Sequence, residues 1–245
     1  RIVDGPPMTW ALGDARLTEH YGWSHLVALR GLVVALGVMV VAAAVALARG
    51  YRRGAWRPDA WTLALTAIAA AGIALRLRTL ISHGFWFDEI LTAIGAQSLA
   101  WALYAPQVFG HPPVQYLAAW LTGHADGEAL RVPFALAGAA TVAAVGFLGR
   151  RLLGPATGLI AAALLAVSPF HIEISQLARP YAIFVLLTVL GLLALVEALD
   201  RGRATTWLAW AALTAVSCYT HYLGFVTVAV YAAVAVTWIV LARGR

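Results

Sequence analysis

Seven long apolar runs follow one another along this chain, near residues 25–48, 61–80, 131–148, 153–169, 181–199, 205–220 and 223–241. As helices, runs of this length suit a hydrocarbon layer about 30 Å thick. A soluble core of 245 residues needs no such surface: 62% of the residues are hydrophobic and 11% are charged, against about half and a quarter in soluble domains. The expected fold is an all-α membrane protein of about seven transmembrane helices, with short interfacial helices in its first outer loop.

Charge fixes the orientation. The net charge is +6, and every basic residue is Arg. Arg49, Arg52, Arg53 and Arg57 lie between the first two runs, and Arg150 and Arg151 follow the third. Arg201 and Arg203 follow the fifth, while Arg243 and Arg245 end the sequence. If every run crosses, these ten Arg share one side, which the positive-inside rule makes cytoplasmic. Short clusters between apolar runs do not form the continuous basic stripe of a nucleic-acid binder. The single cysteine, Cys218, sits inside an apolar run and reads as a packing residue.

The domain reading follows. Residues 1–24 form an irregular polar segment, 25–241 a transmembrane domain that includes an outer loop at 81–130, and 242–245 a cytoplasmic tail. The run at 25–48 contains Ala46-Leu47-Ala48, a permissible cleavage form. Its length and the Arg residues directly after it favour a retained helix over a signal peptide.

Polar groups gather on the side opposite the arginines. They include His83, Asp88, Glu89, Gln97, His111, Asp126, Glu128, Arg131, His171, Glu173, Gln176, Arg179, Tyr181, His221 and Tyr222. Such groups are costly at a membrane boundary unless hydrated, paired or functional. The loop at 81–130 opens with Phe85-Trp86-Phe87-Asp88-Glu89, and Ile90, Ile94 and Trp101 then share one face of a predicted interfacial helix. His111-Pro112-Pro113 opens a second short helix, with Val114, Leu117 and Leu121 as its apolar stripe. A further outer turn, Ser168 to Tyr181, carries Arg179, whose planar fork suits an oxyanion.

Phe87-Asp88-Glu89, His111-Pro112-Pro113 with Tyr116, Glu128 through Pro133, Ser168-Pro169 through Tyr181, and Tyr219-Thr220-His221-Tyr222 occur in that order. In order, spacing and membrane side they resemble the GT-C superfamily of polytopic glycosyltransferases. The branch is that of the protein O-mannosyltransferases (glycosyltransferase family 39) and the lipid A aminoarabinose transferases. The resemblance covers roughly residues 60–241. It implies a sugar on a polyprenyl phosphate, transferred at the outer face of a bacterial cytoplasmic membrane by an inverting single displacement. The acceptor is a protein, lipid or glycan, and the other partners are membrane lipids, not nucleic acid.

Within that resemblance Asp88 matches the acid that takes the acceptor proton, with Glu89 orienting it. Arg179, together with Arg131, would hold the departing phosphate. His111, His171, Glu173, Gln176, Tyr181 and His221 complete the expected substrate-binding set. Leu177 replaces an acid common in relatives, and Glu173 replaces an aromatic residue. Relatives continue through more helices, so the length reads as that of a fragment or a short reading frame. No cofactor is expected. A divalent metal held by His83, Asp88, Glu89, His111 and His124 is chemically admissible but has no tight ligand spacing behind it.

Two other classes fit the composition. A lipid-linked substrate carrier or flippase predicts internal repeats or broken helices with polar groups near the midplane. An inactive, truncated membrane scaffold predicts the fold without the chemistry.

Overall fold

The computed structural model describes residues 59–78, 80, 84–122 and 128–243. The predicted first span at 25–48, the Arg cluster after it, His83, His124 and Asp126 lie outside the described residues. Ten α-helices occur among the described residues: α1 (Ala60–Arg78), α2 (Phe87–Gly95), α3 (Leu99–Phe109), α4 (Val114–Trp120), α5 (Val132–Leu153), α6 (Pro155–Val167), α7 (Pro169–Ser175), α8 (Tyr181–Arg201), α9 (Ala204–Cys218) and α10 (Leu223–Arg243). A 3-10 turn, Glu128–Arg131, leads into α5.

Local chemistry sets the helix ends. Asp59 Oδ1 accepts from the Thr62 amide at 2.8 Å and caps the start of α1. Helix α5 ends at Gly154, whose φ of +102° is closed to most side chains, and Pro155 then opens α6. Ser168 accepts from the His171 amide and starts α7, again with Pro at the first helical position.

Helices α1, α5, α8 and α10 are long and apolar enough to cross a bilayer. The predicted span at 153–169 is the helix α6, bent by 64° into α7 across Ser168-Pro169, so the pair makes one broken span or a re-entrant loop. The predicted span at 205–220 is the 15-residue α9, about 22 Å long at 1.5 Å per residue, which is short of a full crossing. Of the six predicted spans that fall among the described residues, four or five are therefore long and apolar enough to cross.

Helix α5 is the hub, packed against α1, α6 and α8, while α9 pairs with α8, and α10 closes the bundle on both. Small residues allow close approach. A Cβ on Gly158 would stand 2.5 Å from the Gly146 carbonyl oxygen and 2.7 Å from the Arg150 nitrogen. In lipid such backbone proximity replaces the hydrophobic drive between helices. Leu63, Ile160, Leu164, Leu208, Phe225 and Val240 turn outward, as a lipid-facing surface requires.

The two ends of the bundle differ. At one end Arg150 pairs with Asp59, Arg151 with Glu197 and Asp200, and Arg201 with Glu197. Trp61 joins this belt, donating to the Pro155 carbonyl at 2.8 Å beneath the Arg150 guanidinium. Arg131, Tyr181 and His221 lie at the opposite ends of α5, α8 and the α9–α10 pair. The arrangement is that of a multi-pass membrane protein.

Two predicted faces are corrected. The stripe Ile90, Ile94 and Trp101 does not lie on one helix: α2 stops at Gly95, packed against the Tyr116 ring, and Ser98 caps a new helix, α3. On α4 the fully packed residues are Gln115, Tyr116 and Ala119; of the predicted stripe Val114 and Leu117 are half-buried against the core, while Leu121 lies just past the helix and is 75% exposed.

Gly158→Val should drive a side chain into fixed backbone. Overpacking of this kind costs about 1–3 kcal/mol, so the thermal midpoint in detergent should fall clearly, whereas Leu164→Val on the lipid face should leave it almost unchanged.

Candidate active site

Helix α2 places two adjacent acids in opposite environments. Glu89 is fully buried and Arg131 is 3% exposed. Arg131 Nε donates to Glu89 Oε1 at 2.8 Å, and Nη2 donates to Oε2 at 2.8 Å. This is a bidentate pair, the geometry in which guanidinium and carboxylate bind best. The Ala178 amide donates to Oε1 at 2.8 Å and the Trp86 amide to Oε2 at 3.1 Å. Arg131 also donates to the carbonyls of Leu80 and Gly84, at 3.0 and 3.1 Å, under the ring of Phe85. Burial pushes the Glu89 carboxyl up, but the Arg131 hydrogen bonds and the two amides more than offset it. Its pKa therefore lies below the ordinary carboxylate value.

Asp88 is different. Its side chain is 54% exposed, and Oδ2 lies 3.5 Å from Arg179 Nη2. Arg179 is 5% exposed. Its Nη2 donates to His111 Nε2 at 2.9 Å, and Nη1 reaches the Asp88 carbonyl at 3.4 Å. His111 Nδ1 donates to the Phe109 carbonyl at 2.7 Å. A guanidinium only donates and a carbonyl only accepts, so the ring carries its proton on Nδ1 and offers Nε2 as acceptor.

Ala178 and Arg179 are consecutive. The bond from the Ala178 amide to Glu89 therefore brings Arg179 beside Asp88, the residue before Glu89. One buried carboxylate sets the spacing of the exposed pair.

His221 borders this group. Its Nδ1 accepts from the Leu223 amide at 3.1 Å, and its ring packs against Tyr181 and Phe184 at 5.7 and 5.4 Å between centroids. Burial, then His111 and Arg179, lower its pKa. Nearby Tyr222 donates to the Gly110 carbonyl at 2.7 Å, fastening the α9–α10 turn to the segment that carries His111.

His171 and Gln176 belong to a neighbouring cluster around Arg76. This arginine is fully buried. It donates to His171 Nδ1 at 2.6 Å, to Ser175 Oγ at 3.3 Å, and to the carbonyls of Gly72, Leu165 and Ala166. Leu165 and Ala166 end α6, so the cation sits at the negative end of that helix and supports the bend. Gln176 donates to the Arg76 carbonyl at 2.8 Å. Glu173 is exposed on α7, and no contact among the described residues ties it to Asp88.

The sequence reading passed over Arg76, although a charge inside an apolar run was a usable signal. It also passed over Gln115, which is fully buried on α4. Among the described residues no three His, Cys, Asp or Glu side chains converge as a metal site.

Removing one partner of a buried ion pair strands the other, at a cost of about 3–5 kcal/mol. Arg131→Ala should lower the thermal midpoint far more than the paired change Arg131→Met with Glu89→Gln. Because folding lowers the Glu89 pKa, its contribution is full above the unfolded value near 4.5. It is lost as pH falls through the lower folded value. Glu89→Gln should flatten that acid limb in a plot of midpoint against pH.

Comparison with curated proteins gives no match, and comparison with solved structures gives none. A family model for dolichyl-phosphate-mannose-protein mannosyltransferase matches residues 110–244, more than half of the chain, from the segment before His111 through α10. The chain belongs to that mannosyltransferase family, and so to the membrane glycosyltransferases of GT-C type.

Proposed function

We propose that this protein transfers a sugar from a polyprenyl-phosphate carrier to a hydroxyl acceptor at the non-cytoplasmic face of a bacterial cytoplasmic membrane. The observation that carries this reading is the pairing of a half-exposed Asp88 with a buried Arg179 3.5 Å away. Asp88 has a carboxylate open to an incoming group. Glu89 has none to spare and acts as a positioning residue, since its oxygens are held by Arg131, Ala178 and Trp86.

In the reaction the acceptor oxygen attacks the anomeric carbon on the face opposite the phosphate. The carbon–oxygen bond to phosphate breaks, its electron pair leaves with the phosphate, and configuration inverts. Asp88 takes the acceptor proton as general base. Arg179 meets the charge growing on the leaving phosphate, with His111 holding the guanidinium in place and His221 beside it. Tyr181 packs at the same edge. An apolar groove between α8 and α10, lined by Phe184, Leu192, Leu223, Val226 and Val230, begins beside His221 and suits the isoprenoid chain. The acceptor is a protein, by analogy with the family's name. Arg131, committed to Glu89, serves the site through that bond.

The bend between α6 and α7 favours a second reading, a carrier with a broken helix at its substrate site. That break lies at the Asp88 end, joined to it through Gln176, Ala178 and Glu89, which suits a surface site better than a midplane one.

Asp88→Asn should lower the transfer rate by about two to four orders of magnitude, the range general-base catalysis supplies. It should leave binding of polyprenyl phosphate intact, whereas Arg179→Ala should weaken that binding. Transfer of radiolabelled mannose from a polyprenyl-phosphate donor, with lipid binding measured separately, checks both. Undiminished transfer by Asp88→Asn would sink the base assignment.

A further inference from the structure

The turn between α9 and α10 carries a ring nitrogen that the fold leaves uncommitted. His221 is half-buried, and its one hydrogen bond among the described residues is at Nδ1, which accepts from the Leu223 amide at 3.1 Å. An amide only donates, so Nδ1 carries no proton and the neutral ring holds its hydrogen on Nε2. Burial, then His111 and Arg179, disfavour the cationic form. His111 has the reverse arrangement: its Nδ1 donates to the Phe109 carbonyl and its Nε2 accepts from Arg179. One imidazole is spent on holding the guanidinium, and the other keeps an N–H to offer.

Contacts on both sides fix where that ring stands. Tyr222, next in sequence, is fastened to the Gly110 carbonyl, one residue before His111. The ring itself packs against Tyr181, two residues beyond Arg179, and against Phe184 on the next turn of α8. Phe184 and Leu223, its ring neighbour and its amide donor, are the outermost residues lining the apolar groove between α8 and α10. His221 therefore stands between the mouth of that groove and the Arg179–His111 pair. A lipid phosphate has the same order, hydrocarbon and then anion. Capping the start of α10 accounts for only half of the ring, since Asn, Asp or Ser would accept from the Leu223 amide as well.

We infer that the Nε2–H of His221 is a second, neutral donor to the carrier phosphate, placed where the head group joins the isoprenoid chain. This rests on the donor reading above and deepens it: Arg179 supplies charge, and His221 supplies direction. An imidazole N–H adds no cation to a site that already holds one, and a phosphate has oxygens to spare once a guanidinium is satisfied.

Asparagine and glutamine separate the two nitrogens. Asparagine carries an acceptor where Nδ1 stands and nothing at the Nε2 position; glutamine reaches that position with an amide N–H but gives up the cap. The test titrates the full chain in lipid nanodiscs with undecaprenyl phosphate and follows the thermal midpoint of the same samples. His221→Asn should keep the midpoint and lose about ten- to a hundredfold in affinity, the worth of one hydrogen bond to a charged group. His221→Gln should stay within about threefold of wild-type affinity and lower the midpoint, because the Leu223 amide loses its acceptor. The inference is overturned if His221→Asn binds the lipid as the wild type does. It is equally overturned if His221→Gln loses as much affinity as His221→Asn, or if affinity merely follows the midpoint. Should His221→Gln fail to fold, the His221→Asn result decides alone. A wild type that binds no undecaprenyl phosphate overturns the donor reading itself, and the role of His221 falls with it.

Discussion

The buried pair of Glu89 and Arg131 is the constraint on which the upper part of the molecule depends. Two charges removed from water are expensive, and their attraction repays the cost only when the remaining hydrogen-bonding capacity is also filled. Here it is filled from distant segments. The carboxylate draws in the Ala178 amide 89 residues away, and the guanidinium draws in the carbonyls of Leu80 and Gly84, 51 and 47 residues away. The start of α2, the segment before it, the turn after α7 and the start of α5 thus meet at one point. Apolar packing in lipid could not specify that junction, because helix and lipid surfaces are equally apolar.

Helix geometry turns the junction into a site. Successive residues on a helix are separated by about 100°, so a residue beside a fully inward one can be half-exposed. Glu89 takes the inward position and Asp88 the outward one. In the turn between α7 and α8, Ala178 spends its amide on Glu89 while the next residue, Arg179, faces Asp88. Rigid and reactive groups are neighbours in sequence on both sides of the contact, which gives the pair a fixed separation without consuming its own hydrogen-bonding capacity.

Much of this was legible because a bilayer imposes simple rules. Long apolar runs, alternate Arg clusters and the crowding of polar residues at one side all follow from hydrocarbon thickness and surface potential. Among the described residues the apolar helices recur, Arg150, Arg151 and Arg201 share one end, and the polar residues around Asp88 share the other. What failed was the reading of faces. Of the stripe Val114, Leu117 and Leu121, the first two pack half-buried against the core while Leu121 is 75% exposed, and the polar Gln115 is fully buried. An apolar pattern marks a short helix without telling which polar neighbour turns inward. The break at Ser168-Pro169 was missed for a related reason: the flanking segments are both apolar enough to read as one run, and only the capping serine and proline mark the bend. Arg76 was hidden because it and Arg78 sit in the last turn of a 19-residue apolar helix, where arginines read as an ordinary helix end.

Charge balance gives the last step. Three guanidinia are buried at this end, those of Arg76, Arg131 and Arg179. Arg76 is met by the carbonyls that end α6, where the helix dipole is negative, and Arg131 is met by Glu89. Arg179 meets a half-exposed carboxylate at 3.5 Å, the Asp88 carbonyl and an imidazole nitrogen. Arg76 has no carboxylate beside it but is sealed inside the bundle by carbonyls, and Arg131 is locked in a bidentate pair. Of these three guanidinia Arg179 is the one whose acidic partner is open to solvent, at a boundary where interactions are stronger than in water. That accessibility is what its proposed role toward a phosphate rests on.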